Sequence, residues 1–157
     1  MNVFEEHRGR LTGLEQLQLL MKTGRRPPIA ETLDFNLVEV EKGRAVFEGV
    51  PGPHALNPIG SMHGGYAATM LDSCCGCATH SALSADQGYT TVELKIAYHR
   101  AITLETGAVR AEGKIVTIGK RVAFTEGRLV DAGGRLYASA TSTLLVFELK
   151  APKEPKD

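Results

Sequence analysis

Residues 63–83 read HGGYAATMLDSCCGCATHSAL, and Asp72 is the single Asp, Glu, Lys or Arg among them. The gap in charge is wider than this segment. The 37 positions between Glu48 and Asp86 hold no other such residue, where the chain's own charged fraction of 23% would place about eight or nine. From about Gly64 to about Leu83 the sequence reads as a helix whose Ala, Ser, Thr, Cys and Gly residues fall on every side, so it is neither amphipathic nor suited to water. Other structure must wrap it. An ionised carboxylate away from water is costly unless partnered, which makes Asp72 a catalytic candidate; the alternative is an acid tied to a neighbouring hydroxyl or water.

What surrounds the helix reads mostly as strand. FNLVEV and RAVFEGV, separated by Glu41-Lys42-Gly43, predict a β-hairpin before it. After Asp86 the stretches TTVELKIAYH, TGAVRAEGKIVTI, RVAFTEGRLV and RLYASATSTLLVFEL predict four more strands with short connections. Short connections favour an antiparallel sheet, and one long uncharged helix is hidden only if that sheet curls around it, so the fold class is α+β. Upstream, Leu11, Leu14, Leu17 and Leu20 form one stripe of an accessory helix over 11–22. The following GRRPPIAET, with Gly and two prolines, predicts an irregular linker or a lid over a site. The expected organisation is an N-terminal helix and linker over 1–30, one domain over 31–149, and a disordered tail over 150–157.

Composition removes several function classes. The 157 residues carry 18 acidic and 18 basic side chains, so the totals show no electrostatic footprint for nucleic acid or an anionic membrane. MNVFEEHRGR lacks the apolar core of a leader, and no apolar run reaches the length of a membrane span, which points to a cytoplasmic chain. Cys74, Cys75 and Cys77 crowd one helical turn, poorly placed for a disulfide and fanned over different faces for a metal. They are expected to be reduced packing residues, with no metal site.

At the helix entrance the chain reads Asn57-Pro58-Ile59-Gly60-Ser61-Met62-His63-Gly64-Gly65. Two glycines at a helix start give close backbone access, and the free N–H groups of the first turn suit a developing oxyanion. The run NPIGSMHGGYAATMLD, residues 57–72, resembles the signature of the phenylacetyl-CoA-type branch of hotdog-fold acyl-CoA thioesterases. That resemblance implies a curved antiparallel sheet around one central helix, and hydrolysis of an acyl-CoA or aryl-acyl-CoA to free acid and coenzyme A. It implies that the Gly64 N–H polarises the thioester carbonyl and that Asp72 activates water or attacks directly. Asn57 and Thr91 would then help to position water and substrate. Coenzyme A belongs to the substrate, and no separate cofactor is implied.

His63 is a further candidate in the motif, although its place before two glycines suits holding the loop. Gly65, beside the oxyanion donor, is a candidate for substrate contact. VTIGKRVAF resembles the family's strand–turn–strand at which basic residues approach the coenzyme A phosphates, making Lys120 and Arg121 candidates, with Arg100 on the same logic. The alternative for these three is a solvated surface. Rival readings are a hotdog hydratase or dehydratase, which would need an acid–His pair on the acyl chain, and a non-catalytic acyl-CoA-binding module.

Helix geometry adds a partner. Gly64 and Asp72 lie eight residues apart, about 12 Å along a helix axis at 1.5 Å per residue, whereas a reacting carbonyl sits about 3 Å from both groups. A second copy with its helix antiparallel would bring its own Asp72 to this Gly64, so a homodimer with two composite sites is expected, and a dimer of dimers beyond it.

Overall fold

The computed structural model describes residues 3–149, with the side chain of Val3 outside the description. The tail expected to be disordered therefore lies outside the described residues. Four helices, α1 (Val3–Glu6), α2 (Gly13–Thr23), α3 (Pro28–Leu33) and α4 (Gly64–His80), accompany six strands. The strands are β1 (Phe35–Glu41), β2 (Arg44–Gly49), β3 (Gln87–Tyr98), β4 (Val109–Ile118), β5 (Val122–Asp131) and β6 (Leu136–Glu148). They form one antiparallel sheet in the order β1-β2-β4-β5-β6-β3, folded about α4 in the hotdog arrangement.

The sheet receives the helix because its inner face alternates apolar with very small residues. Tyr66, Met70, Leu71 and Cys74 of α4 are buried against Phe47, Val109, Ala111, Leu129, Ala138 and Ala140. Each fully buried Leu or Met side chain contributes about 1.5–3 kcal/mol. At Gly113 a Cβ would stand 2.7 Å from the Cys75 backbone nitrogen, and at Gly127 one would stand 3.1 Å from the Cys75 sulfur. Helix and sheet approach so closely there that β4 has no room for a side chain.

Two sequence expectations change. The linker GRRPPIAET is not wholly irregular, since α3 begins at Pro28. A proline at the first helical position loses only an N–H that the helix would leave unpaired, so the Pro-Pro pair starts a helix here. Nor is α4 wrapped all round. It ends at His80, and Gly65, Ala68, Thr69, Asp72, Ser73 and Cys77 remain half-buried along one face. Strand β3 closes one edge of the sheet, pairing with β6 alone among the described strands, and it carries a bulge at Val92, between the pairs Thr91–Leu144 and Glu93–Thr143. No described helix is long and apolar enough to cross a membrane.

Candidate active site

Helix α4 starts at Gly64 because His63 caps it: the Gly65 N–H donates to His63 Nδ1 at 2.8 Å. The Gly64 N–H has no acceptor among the described residues, so the first turn leaves that peptide open. The Tyr98 hydroxyl donates to the Gly64 carbonyl at 2.8 Å, clamping the 64–65 peptide from its other end. Tyr98 escaped sequence reading, because nothing local ties the end of β3 to a helix 34 residues earlier.

Two turns on, Asp72 is half-buried and accepts a hydrogen bond at Oδ1 from the Thr91 hydroxyl at 2.9 Å. Thr91 reaches it because β3 runs alongside α4, with Tyr98 at Gly64 and Thr91 at Asp72. The catalytic candidate and the hydroxyl-tied acid of the alternative reading are thus the same residue. Asp72 and Thr91 open onto a cavity of about 490 Å³ together with Gly76, Cys77 and Tyr89. Most of the remaining wall comes from Leu20, Met21 and the 24–27 connection, with Ala30, Phe35, Leu37 and Phe47. The prolyl segment expected as a lid is thus one wall of the chamber that holds the acid.

Gly64 faces elsewhere. With His63, Gly65, Tyr98 and Arg100 it borders a second cavity of about 590 Å³ that shares no residue with the first. The chain brings Asp72 to Thr91 and Gly64 to Arg100, but it does not bring the two pairs together. Asn57 stays within its own loop: its Oδ1 accepts from the Ile59 and Ser61 N–H groups, both at 3.1 Å, and its Nδ2 donates to Ser61 Oγ at 2.8 Å. Lys120 and Arg121 are exposed at the β4–β5 turn and border neither cavity, so Arg100 alone of the three basic candidates stands beside Gly64.

The Asp72 cavity acts on its titratable neighbours. Burial, then the nearby Asp72 charge, pushes the Cys77 thiol up to about 12. Burial, followed by Cys77 and Asp72, pushes the Tyr89 phenol well above its ordinary range. Both therefore stay protonated. Burial also raises the Cys74 thiol, whose hydrogen bond to Cys75 holds that thiol down, but both lie fully enclosed between helix and sheet. No group of three or more His, Cys, Asp or Glu among the described residues is placed to hold a metal ion.

Comparison with known proteins bears on the family and the fold. The family model of the thioesterase superfamily matches residues 59–138, about half of the chain. A Saccharolobus solfataricus protein bearing an esterase name is 32% identical over 124 residues, 78% of this chain and 85% of that one. A 1,4-dihydroxy-2-naphthoyl-CoA hydrolase of Listeria monocytogenes is 25% identical over 118 residues, 75% of this chain and 94% of the relative. A thioesterase from Haemophilus influenzae superposes with a TM-score of 0.76 at 16% identity, covering 90% of this chain and 94% of the other, a likeness of fold. An uncharged helix with one acid, six antiparallel strands curled around it and a matching 59–138 segment lead to one conclusion: the chain belongs to the thioesterase superfamily.

Proposed function

We propose that the protein is an acyl-CoA thioesterase of the phenylacetyl-CoA-type branch, active as a homodimer with two sites shared between chains. The observation that carries the reading is the Asp72–Thr91 pair inside a largely apolar chamber, with an open helix N-terminus on a separate chamber of the same helix. Thr91 occupies one carboxylate oxygen and leaves the other for a water molecule. In the proposed reaction Asp72 takes a proton from that water, whose oxygen bonds to the thioester carbonyl carbon. The carbonyl oxygen gathers negative charge against the Gly64 N–H of the partner chain. The C–S bond then breaks, and the coenzyme A thiolate recovers the proton from Asp72. Asp72 and Gly64 are assigned as catalytic, His63 and Tyr98 hold the 64–65 peptide that follows the oxyanion N–H, and Asn57 fixes the loop that leads to it.

The dimer has its own support. The half-buried face of α4 and the unpaired edge of β3 lie side by side, and a two-fold axis there would join two sheets while setting two helices antiparallel. Arg100, Lys120 and Arg121 are assigned to the anionic end of coenzyme A, as charges able to meet phosphate. Residues 31–149 would form the thioesterase domain, with 1–30 packed on it.

Replacing Asp72 with Asn keeps the shape and removes the base. Turnover of an acyl-CoA panel, followed by release of free thiol, is expected to fall at least about 100-fold with modest change in acyl-CoA affinity. Near-normal turnover in the folded variant would remove Asp72 from the chemistry and the reading with it.

A further inference from the structure

Tyr89 is a polar group of the Asp72 cavity, close to Thr91 on β3, that the proposed reaction leaves unused. It lies two residues before Thr91 on β3, so the two side chains share a face of the strand, about 6.7 Å apart along it. Gly76 lies four residues after Asp72 on α4, one turn or about 6 Å further along the helix. The two displacements run together, and they bring Tyr89 to Gly76. A Cβ on Gly76 would stand 2.8 Å from the Tyr89 hydroxyl oxygen, so the missing side chain makes the slot in which the phenol tip sits. Gly76 and Tyr89 border the same cavity as Asp72 and Thr91.

Tyr89 is half-buried and its hydroxyl, which is not one of the enclosed atoms left without a partner, borders the cavity with no acceptor among the described residues, whereas its neighbour Thr91 donates to Asp72. The cavity's walls mix apolar side chains, Leu20, Met21, Phe35, Leu37 and Phe47, with the polar Arg25, Arg26, Asn36 and Ser73. An O–H that opens onto a cavity without a protein acceptor is free to donate to a ligand oxygen there in place of water. With its ionisation pushed up by burial, the group acts as a donor.

The geometry points to Tyr89 as a specificity-determining donor, selecting acyl groups that carry a hydrogen-bond-accepting oxygen about 6 Å, or four to five bonds, beyond the thioester carbonyl carbon. The inference rests on the acyl-CoA reading above and deepens it by giving the substrate a second polar point. It also explains why α4 carries glycine at 76 in the middle of a helix, where glycine costs about 1 kcal/mol relative to alanine.

The test uses three acyl-CoAs of one chain length: hexanoyl-CoA, 5-oxohexanoyl-CoA with its ketone five bonds out, and 3-oxohexanoyl-CoA with the oxygen too near. The wild-type kcat/KM is expected to favour the 5-oxo over the plain substrate by about tenfold, with no such gain for the 3-oxo. Tyr89→Phe removes one oxygen and leaves the ring on Gly76, so circular dichroism should match the wild type. In that variant the 5-oxo preference is expected to collapse towards one, while hexanoyl-CoA hydrolysis stays within about twofold. An unchanged preference in Tyr89→Phe, or none in the wild type, would overturn the assignment. Calorimetry with the inert thioethers hexyl-CoA and 5-oxohexyl-CoA reads the same preference as binding. Absence of hydrolysis with a Tyr89-dependent binding preference would sink the thioesterase reading alone, whereas equal affinity ratios in both proteins would sink the Tyr89 assignment whatever the activity.

Discussion

If the acid and the oxyanion donor of each site come from different chains, two inactive variants should restore each other. Asp72→Asn removes the carboxylate, and Gly64→Pro removes the N–H. The structure makes the second variant a clean deletion. Gly64 is the first residue of α4, where proline is tolerated, and His63 before it has φ −60° and ψ 134°, the extended conformation that a residue preceding proline needs. The nearest obstacle to an added Cβ is the Tyr98 hydroxyl at 3.1 Å, at the tip of a ring 55% exposed, so the added carbon meets a side chain that can shift at the expense of its bond to the Gly64 carbonyl. Each homodimer is expected to be inactive. In a mixed dimer one site combines both defects, while the other combines an intact Gly64 from one chain with an intact Asp72 from its partner. Random mixing makes half of the dimers mixed, and half of their sites are whole, so co-refolded equimolar chains should recover about one quarter of wild-type turnover. The assay is thiol release by the co-refolded mixture against the two variants refolded apart, with circular dichroism to show that Gly64→Pro is folded. Folded, mixed chains with no gain over the separate variants would refute the cross-chain site.

Two further outcomes concern stability. The buried His80 ring, with Nε2 at 3.0 Å from Gln16 Oε1 and no partner for Nδ1 among the described residues, is pushed by burial from 6.5 down to about 4. The unfolded chain thus takes up the proton first, and stability is lost as pH falls from about 6.5 to about 4, by about 3 kcal/mol more than in His80→Leu. Urea unfolding of both proteins across that range checks this, and parallel pH dependence would exclude it. Gly113→Ala would drive a methyl into the backbone of α4, where 2.7 Å separates the Cβ position from the Cys75 nitrogen. A loss of about 2–3 kcal/mol, or about 5–10 °C in Tm, is expected. Gly119→Ala, whose Cβ would meet nothing closer than 3.7 Å, serves as the calorimetric control, and equal melting of the two variants would contradict the close approach.

The central helix was legible because burial excludes charge, and a long charge gap holding one acid has few structural explanations. The strands were legible from their β-branched and aromatic content. The prolyl segment misled because its composition signals a break, whereas the same proline at the first helical position starts a turn. Tyr89 and Tyr98 were invisible as site residues, since each acts through one helix backbone position, Gly76 and Gly64, whose absent side chain is noticed only once the strand lies across it. The open face of α4 was missed for a related reason: small residues on every side look equally buried, and the sheet decides which side is covered.

The Val92 bulge sets the phase of β3. Ahead of it Tyr89 and Thr91 face the helix; beyond it the inward residues are Leu94, Ile96 and Tyr98, an odd number of positions away from Thr91. Val92 itself, 59% exposed, absorbs the odd step. A perfectly regular strand of the same sequence would aim either the acid's hydroxyl partner or the helix-clamping tyrosine at solvent, never both at α4. One surplus residue, with no chemistry of its own, keeps the two ends of this strand in step, so the length of β3 at this point is as much a part of the site as any side chain in it.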